Sequence, residues 1–460
     1  MNTLQRYDKL LRKTLRSVGL SDEKYYKTIK AVLLGMGLNI PGLSVFLKKK
    51  LVTLRASNAQ LRSVLQVMPV CNGTIESFLN PLTSAILADM DSVFEAAVKD
   101  YIQNGVDPKK KTVAIYLVGP GYLENLGTIP LRLQKKGYNV VGLCGSTPKQ
   151  VAKLYREVRE KTKIEACFCV GLIDGMPTDT KIIYFVHDIY DSPLTEMEKI
   201  HRLLPKCSYI VVPNKPALER YKEKVAEGRD LSFNLNNIPK VCFIPAGYPK
   251  LDANLKSFRE YHGSAKAIIY ATTITKEMEE IVSLPERGPK IIETILTGIP
   301  DVVLIFRPHP GTLGSAEVAA IAKKYSKEKR FVFDNNASYY MENYARSALM
   351  ISDLSGTAFT YSFTTLRPVI FFSHNEIGVQ KRFGTYKYFN DRKRIGYIVS
   401  NETELLEKVK ELLQDNISFS QNIRDHRDSL IYNVGKSEEY FVDNWEYIIE
   451  DKKHPDWIYM

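Results

Sequence analysis

A cation is followed by a histidine between two prolines at the point where an apolar, β-branched segment ends. Residues 302–312 read VVLIFRPHPGT, and Arg307, Pro308 and His309 follow the apolar run directly. Pro308 and Pro310 restrict the backbone and remove two N–H donors, so the chain itself sets the direction of the imidazole. Arg307 adds a permanently charged, forked donor. The group is typical of a phosphate-binding site, although a purely structural histidine is the simpler alternative.

A second cluster, SDLSGT at residues 352–357, combines short hydroxyls with the predicted start of a helix. Ser352, Asp353, Ser355, Gly356 and Thr357 lie where a strand turns into that helix. Free backbone N–H groups and the positive end of the helix dipole can bind phosphate there. Ser355 or Asp353 could equally cap the helix, and spacing does not decide between the two. Because Asp353 would repel a phosphate, we expect it to hold the loop or a nearby hydroxyl.

A second histidine ends another apolar run, in YFVHDIYDSP at residues 184–193. A neutral imidazole at His187 is suited to take a proton from an acceptor hydroxyl. Asp188 or Asp191 could orient the ring. The alternative is that His187 caps the following helix together with Ser192. The catalytic interpretation requires His187 and His309 to face each other.

The pattern of apolar segments predicts the elements that carry these residues. From residue 111 onward, continuous apolar strands alternate with amphipathic helices, which is typical of parallel sheets covered by helices. The alternation restarts after a polar linker, LDANLKSFREYHGSAK. We therefore predict an α/β fold with two Rossmann-like domains, 111–250 and 266–414, facing a cleft. A helical region at 1–110 precedes them, and a helical tail at 415–460 is expected to pack back on the first domain.

In such sheets, ligands bind beyond the carboxyl ends of the strands. The polar clusters HDIYDSP, PAGYPKLD, RPHP and SDLSGT all fall at predicted strand ends. This common position favours a functional site over ordinary polar loops.

Composition restricts the class of protein and of partner. The 460 residues carry a net charge of +12, which indicates an anionic partner without identifying it. The six cysteines lie mostly in apolar runs without CxxC spacing, so we expect reduced core residues of a cytoplasmic protein. No second His, Cys or carboxylate stands near His309 at metal-ligand spacing, and a zinc site is not indicated.

The N-terminal region is basic and amphipathic. LQRYDKLLRKTLRSVGL precedes an apolar stretch at 31–46 that Asn39 and Pro41 interrupt, and three lysines follow it. The stretch is short for a membrane span, and the pattern suits either helices lying on anionic lipid or ordinary packing helices.

These motifs, taken in order, resemble a known family. PAGYPKLD, IIYATTIT, FRPHP and SDLSGTAFTYSFTTLRPVIFF are similar in order and spacing to segments of the CDP-glycerol glycerophosphotransferases, the teichoic acid primases and polymerases. The resemblance covers about residues 241–372. It implies a GT-B fold and an enzyme that moves an alditol phosphate from a CDP-linked donor to a hydroxyl and releases CMP.

The resemblance also implies roles for individual residues. His309, with Arg307 and Pro308 beside it, corresponds to the histidine that contacts the donor phosphates. Ser355, Gly356 and Thr357 would hold the pyrophosphate, with Ser352 and Asp353 in the same donor-binding loop. Thr272 in the matching strand segment joins the donor site, and Gly247 and Lys250 have supporting roles. His187 resembles the family's base by position only, because Asp188 replaces the glycine of its H-G-x-P motif.

The resemblance further implies a nucleotide-activated donor, a polymer or lipid-linked acceptor and no required cofactor, while a need for a divalent metal stays open. The enzyme would lie in the cytoplasm, peripherally on the inner face of the membrane. The alternative is a GT-B glycosyltransferase that uses a nucleotide-sugar in capsule synthesis. Such enzymes commonly place a carboxylate after the phosphate-binding helix start, and the sequence has none between Asp353 and Pro368. Nucleic-acid binding is disfavoured, since no binding module is recognised.

Overall fold

The computed structural model describes residues 106–460, without 118–119, 145–147, 173, 231–239, 264, 276–277, 336–339 and 416–418. The predicted helices and membrane contact of residues 1–105 lie outside this part of the chain. None of the helices in the described residues combines the length and apolar character needed to cross a membrane.

The first sheet has seven strands in the order β13-β6-β5-β4-β3-β1-β2. Its strands β1 to β6 are parallel, and β13 pairs antiparallel with β6. The strands are β1 (Thr112–Leu117), β2 (Asn139–Cys144), β3 (Ile164–Cys169), β4 (Lys181–Phe185), β5 (Tyr209–Val211), β6 (Cys242–Ile244) and β13 (Ile458–Tyr459). The α-helices that follow these strands are α1 (Ile129–Lys135), α2 (Pro148–Arg159), α3 (Glu198–Leu203), α4 (Lys215–Asp230) and α5 (Pro249–Arg259).

The strands are apolar on both faces because helices cover both faces. In β1, Val113 and Ile115 belong to one core, while Ala114 and Tyr116 belong to the core on the opposite face. This alternation follows from the two-residue period of a strand, and burial of both faces explains the uninterrupted apolar runs.

The second sheet has six parallel strands in the order β12-β11-β10-β7-β8-β9. Its strands are β7 (Ala267–Ala271), β8 (Leu304–Arg307), β9 (Phe331–Phe333), β10 (Ser347–Ser352), β11 (Val369–Phe372) and β12 (Gly396–Val399). The helices of this part are α6 (Leu284–Gly298), α7 (Ala316–Lys324), α8 (Met341–Arg346), α9 (Thr357–Thr365), α10 (Glu376–Phe383), α11 (Lys387–Asn390) and α12 (Glu402–Gln414). We refer to the units built on the two sheets as the first and second lobes.

The segment predicted as a polar linker is mostly a helix, and that prediction was wrong. Helix α5 starts with Pro249, a residue favoured in the first turn, and continues to Arg259. Leu251, Leu255 and Phe258 recur at helical spacing and pack into a core of the second lobe. The helix therefore connects the lobes as a packed element.

The C-terminal segment contacts both lobes. Helix α13 (Ser420–Leu430) packs on the second lobe, with Ile423 in its core. The chain then crosses to the first lobe, where α14 (Ser437–Asp443) and α15 (Trp445–Ile449) bring Trp445 into the core. At the crossing, Gly247 has a φ of +101°, and a Cβ there would lie 2.1 Å from the carbonyl oxygen of Tyr432. Only glycine fits this close approach without strain.

Candidate active site

His309 is held in one orientation by its own loop. Strand β8 ends at Arg307, and a 3₁₀ turn at Pro310–Thr312 follows. The Gly311 N–H donates to Nδ1 of His309 at 3.0 Å. Since Nδ1 accepts, the proton of the neutral ring is on Nε2. Burial, together with the neighbouring His187, lowers the pKa of His309 to about 4. The ring is thus a neutral hydrogen-bond donor near pH 7.

His187 follows β4 in the first lobe, and its backbone is fixed by Tyr248, whose hydroxyl donates to the His187 carbonyl oxygen at 2.6 Å. Burial lowers the pKa of His187, and Lys250 acts in the same direction, while Asp188 opposes both. The imidazole is therefore a neutral base near pH 7. The charge of His187 lowers the pKa of His309, so the two imidazoles lie within electrostatic range of each other.

The start of α9 faces the His187 loop. Gly356 is the N-cap residue and provides no capping side chain. A Cβ at this position would lie 3.4 Å from Oδ1 of Asp188, so the first lobe approaches the helix start closely. The Ser355 carbonyl oxygen accepts from the Tyr388 hydroxyl at 2.6 Å, and the Thr357 hydroxyl lies 2.6 Å from the Tyr344 hydroxyl. The amides at this helix start are oriented toward the position where the lobes meet.

Ser352 and Asp353 are held within the fold, and for Asp353 this agrees with the expectation that it holds the loop. The Ser352 hydroxyl is buried and donates to the Ala271 carbonyl oxygen at 2.8 Å, which joins the ends of β10 and β7. Asp353 accepts from the backbone N–H groups of Thr273, Ser283 and Leu354 at 2.9, 3.0 and 2.7 Å. Asp353 therefore organises the loop, and neither side chain is directed to a phosphate.

Asp191 does not orient His187. Its carboxylate accepts from the backbone N–H groups of Lys387 and Tyr388, at 2.8 and 2.9 Å, in the second lobe. The side chain is buried, so it caps α11 and ties the lobes together. Of the two acidic residues considered as partners, Asp188 is the one that interacts with His187.

Arg307 and Lys250 flank one aromatic ring. The Arg307 guanidinium lies 5.2 Å and the Lys250 ammonium 5.3 Å from the centre of the Tyr340 ring. Arg307 pairs with Asp334 at 2.7 Å, and Lys250 pairs with Glu124 at 3.2 Å. We call these five residues the charged cluster. It places two cations near the histidine pair, as phosphate binding requires.

The remaining predicted residues lie around this centre. Thr272 follows β7, and its buried hydroxyl has no hydrogen-bond partner among the described residues. Pro308 is buried between Arg307 and His309. Gly247 allows the backbone of Tyr432 to pass close by, and we assign it no contact with a substrate.

Sequence reasoning missed Glu124, Asp334 and Tyr340. Glu124 lies in the 3₁₀ segment Pro120–Leu126 after β1, and Asp334 comes directly after β9. The rule about carboxyl ends of strands would have found both acids, had it been applied to β1 and β9. Tyr340 precedes α8, and nothing in its local sequence marks it.

Within the described residues, no cluster of three or more His, Cys, Asp or Glu side chains could hold a metal ion. The arrangement is thus one of paired neutral histidines, two cations and a helix start between two Rossmann-like lobes. The two lobes have the architecture of the GT-B fold, and the residues where they meet suit the binding of an anionic group.

Comparison with known proteins specifies the class further. The family model described as CDP-Glycerol:Poly(glycerophosphate) glycerophosphotransferase matches residues 243–446. The resemblance read from the motifs is confirmed over this range, and the match supports an enzyme of the CDP-glycerol glycerophosphotransferase type. No curated protein sequence matches the chain significantly.

Solved structures agree in fold. The wall teichoic acid polymerase TagF is 18% identical with a TM-score of 0.52, and the match covers 83% of this chain and 100% of TagF. A putative UDP-N-acetylglucosamine 2-epimerase from Listeria monocytogenes is 14% identical with a TM-score of 0.51, covering 75% of this chain and 98% of the epimerase. At these identities the similarity establishes the GT-B fold and no more.

Proposed function

We propose that the protein transfers glycerol phosphate from CDP-glycerol to a hydroxyl of a lipid-linked or polymeric cell-envelope acceptor and releases CMP. The observation that carries this proposal is the close approach of the His187 loop to the start of α9, where a Cβ on Gly356 would lie 3.4 Å from Asp188, in a chain whose second lobe matches the glycerophosphotransferase family. His309 and the α9 start both lie within the matched range.

In the proposed reaction, the acceptor oxygen attacks the β-phosphorus of CDP-glycerol. A bond forms between that oxygen and phosphorus, the bond from phosphorus to the bridging oxygen breaks, and CMP leaves. His187 takes the proton of the acceptor hydroxyl. Its lowered pKa keeps the ring unprotonated and able to accept near pH 7.

The donor phosphates are proposed to lie between His309, Arg307 and the start of α9. His309 donates from Nε2, since Nδ1 is held by Gly311. Arg307 and the amides near Gly356 stabilise the negative charge that moves toward the leaving CMP. Catalysis of this type depends on positioning and on preorganised electrostatics.

A ligand-protection experiment tests the choice of donor. A ligand at 100 times its dissociation constant stabilises the folded state by about 2.7 kcal/mol. We expect CDP and CDP-glycerol to raise the unfolding temperature, with UDP and GDP at equal concentration as controls. CMP release from CDP-glycerol, measured with a glycerophosphate-primed lipid acceptor, then tests turnover. Protection by UDP-sugars without protection by cytidine nucleotides would instead support the glycosyltransferase alternative.

The acceptor and the place of action extend the same proposal. A lipid-linked acceptor would be reached at the inner face of the membrane, and the basic amphipathic sequence within residues 1–60 supports peripheral binding there. The net charge of +12 favours anionic lipid and a phosphate-bearing acceptor alike.

A further inference from the structure

Glu124 is a nearly buried carboxylate that interacts with two cations of the site, Lys250 and Arg307. It lies in the 3₁₀ segment after β1, and its side chain is 12% exposed. Lys250, at the start of α5, is 3.2 Å away and 19% exposed. Burial raises the pKa of Glu124, whereas Lys250 and Arg307 favour its charged form. Taking such a carboxylate out of water costs free energy, which the ion pair offsets.

The charged cluster contains two ion pairs. Arg307 has its own carboxylate, Asp334, at 2.7 Å in the second lobe. The Tyr340 ring lies close to both cations, and its hydroxyl donates to Asn254 at 3.0 Å. Although the charge of Arg307 also acts on Glu124, the ion-pair partner of Glu124 is Lys250. The charge of Lys250 in turn acts on His187.

A carboxylate repels phosphate and accepts hydrogen bonds from hydroxyl groups. Two adjacent hydroxyls can donate to its two oxygens, and a neighbouring ammonium can donate to one of the same hydroxyls. The part of the substrate that lies against Glu124 must then be rich in hydroxyls and poor in charge. In the proposed reaction that part is a polyol.

We infer that Glu124, together with Lys250, binds the hydroxyl groups of the polyol and so selects the alditol that reacts. This inference rests on the proposed function. The polyol could be the glycerol unit of the donor or the terminal unit of the acceptor, and the two sources are separable by experiment. Glu124 is thus a specificity-determining residue, while His187 and His309 carry the reaction.

The experiment compares CDP-glycerol with a CDP-linked analogue whose glycerol lacks the middle hydroxyl. A hydrogen bond to a charged group contributes enough for a preference of roughly 10- to 100-fold in kcat/KM. We expect the unmodified protein to show that preference and Glu124→Gln to reduce it to about threefold or less. A matched pair of acceptors, with and without the corresponding hydroxyl, forms the second arm. If Glu124→Gln loses the preference only with the donor pair, Glu124 binds the glycerol unit of the donor. If it loses the preference only with the acceptor pair, Glu124 binds the terminal unit of the acceptor.

The control is Glu293→Gln, which changes an exposed carboxylate paired with Lys324 outside the site and should leave both preferences intact. Glu124→Gln leaves the Lys250 ammonium buried without its carboxylate partner. The double variant Glu124→Gln with Lys250→Met removes that unpaired charge and should show the same loss of substrate preference. Circular dichroism verifies folding of each variant.

The outcomes separate the two proposals. A folded Glu124→Gln enzyme that keeps its full preference in both arms overturns the role of Glu124 and leaves the proposed function standing. Tighter CDP binding by Glu124→Gln also overturns the role of Glu124 in polyol binding. That result would mean that Glu124 only competes with phosphate for Lys250. Failure of the unmodified protein to release CMP from CDP-glycerol would refute the proposed function and this inference with it.

Discussion

Replacing His309 with asparagine separates the roles of the two histidines. An asparagine carbonyl can still accept from the Gly311 N–H, as Nδ1 of His309 does at 3.0 Å, so the loop keeps its local hydrogen bond. The variant loses the Nε2 donor. If that donor stabilises the transferring phosphate, its removal should lower kcat by about 10²- to 10³-fold, the usual effect of one such donor.

The pH dependence gives the sharper test. With a pKa of about 4, roughly one His309 ring in a hundred is protonated at pH 6, so its titration is not visible in a profile above pH 5. His187 must be neutral to act as a base, and activity is lost as the pH falls through its pKa. That pKa is lowered, so the acid limb should lie below the ordinary value of 6.5.

The assay is CMP release at saturating CDP-glycerol between pH 5 and 9. We expect His309→Asn to lower the rate of CMP release at every pH. The pH at which the rate falls on the acid side, the acid limb, should stay unchanged. His187→Ala should abolish the limb together with most of the rate. A His309→Asn variant that loses the acid limb, or that retains more than a tenth of the rate, would refute this division of roles.

Two further predictions concern the lobes and the N-terminus. Asp191→Ala should lower the free energy of unfolding by roughly 2–4 kcal/mol in urea titration, because the buried amide of Tyr388 and the partly buried amide of Lys387 lose a charged acceptor. Asp301→Ala, in an exposed turn, should change the free energy of unfolding little. A loss of stability equal in both variants would contradict the interlobe role. The full chain should sediment with vesicles rich in anionic lipid, whereas a chain without residues 1–60 should not. Equal sedimentation of both chains would exclude the membrane role of the N-terminal region.

Much of the fold could be read from the sequence because buried parallel strands leave an uninterrupted apolar signal. The strands from β1 to β11 were each anticipated by such a run. Strand β12, with sequence GYIV, and the two-residue β13 were missed, since both are short and partly exposed edge strands. Helix α5 was missed because its polar surface outweighed the three apolar residues that pack inward.

The positions of His187 and His309 after strands could be predicted, because a buried apolar run precedes each of them. Side-chain partners could not be predicted, because they depend on contacts between distant segments. Asp191 caps a helix almost 200 residues further along the chain, and Ser352 donates to a strand of the same sheet. Local spacing contains no information about either contact.

The crossing of the C-terminal segment has a consequence for biosynthesis. Trp445 and the strand at Ile458–Tyr459 complete the hydrophobic core and the edge of the first sheet, yet they are translated only after the whole second lobe. The amino-terminal Rossmann unit therefore cannot reach its final packing before the second lobe has been synthesised. A nascent chain that stalls before residue 445 would expose the β-sheet surface that this tryptophan covers, and would be a substrate for chaperones or proteases.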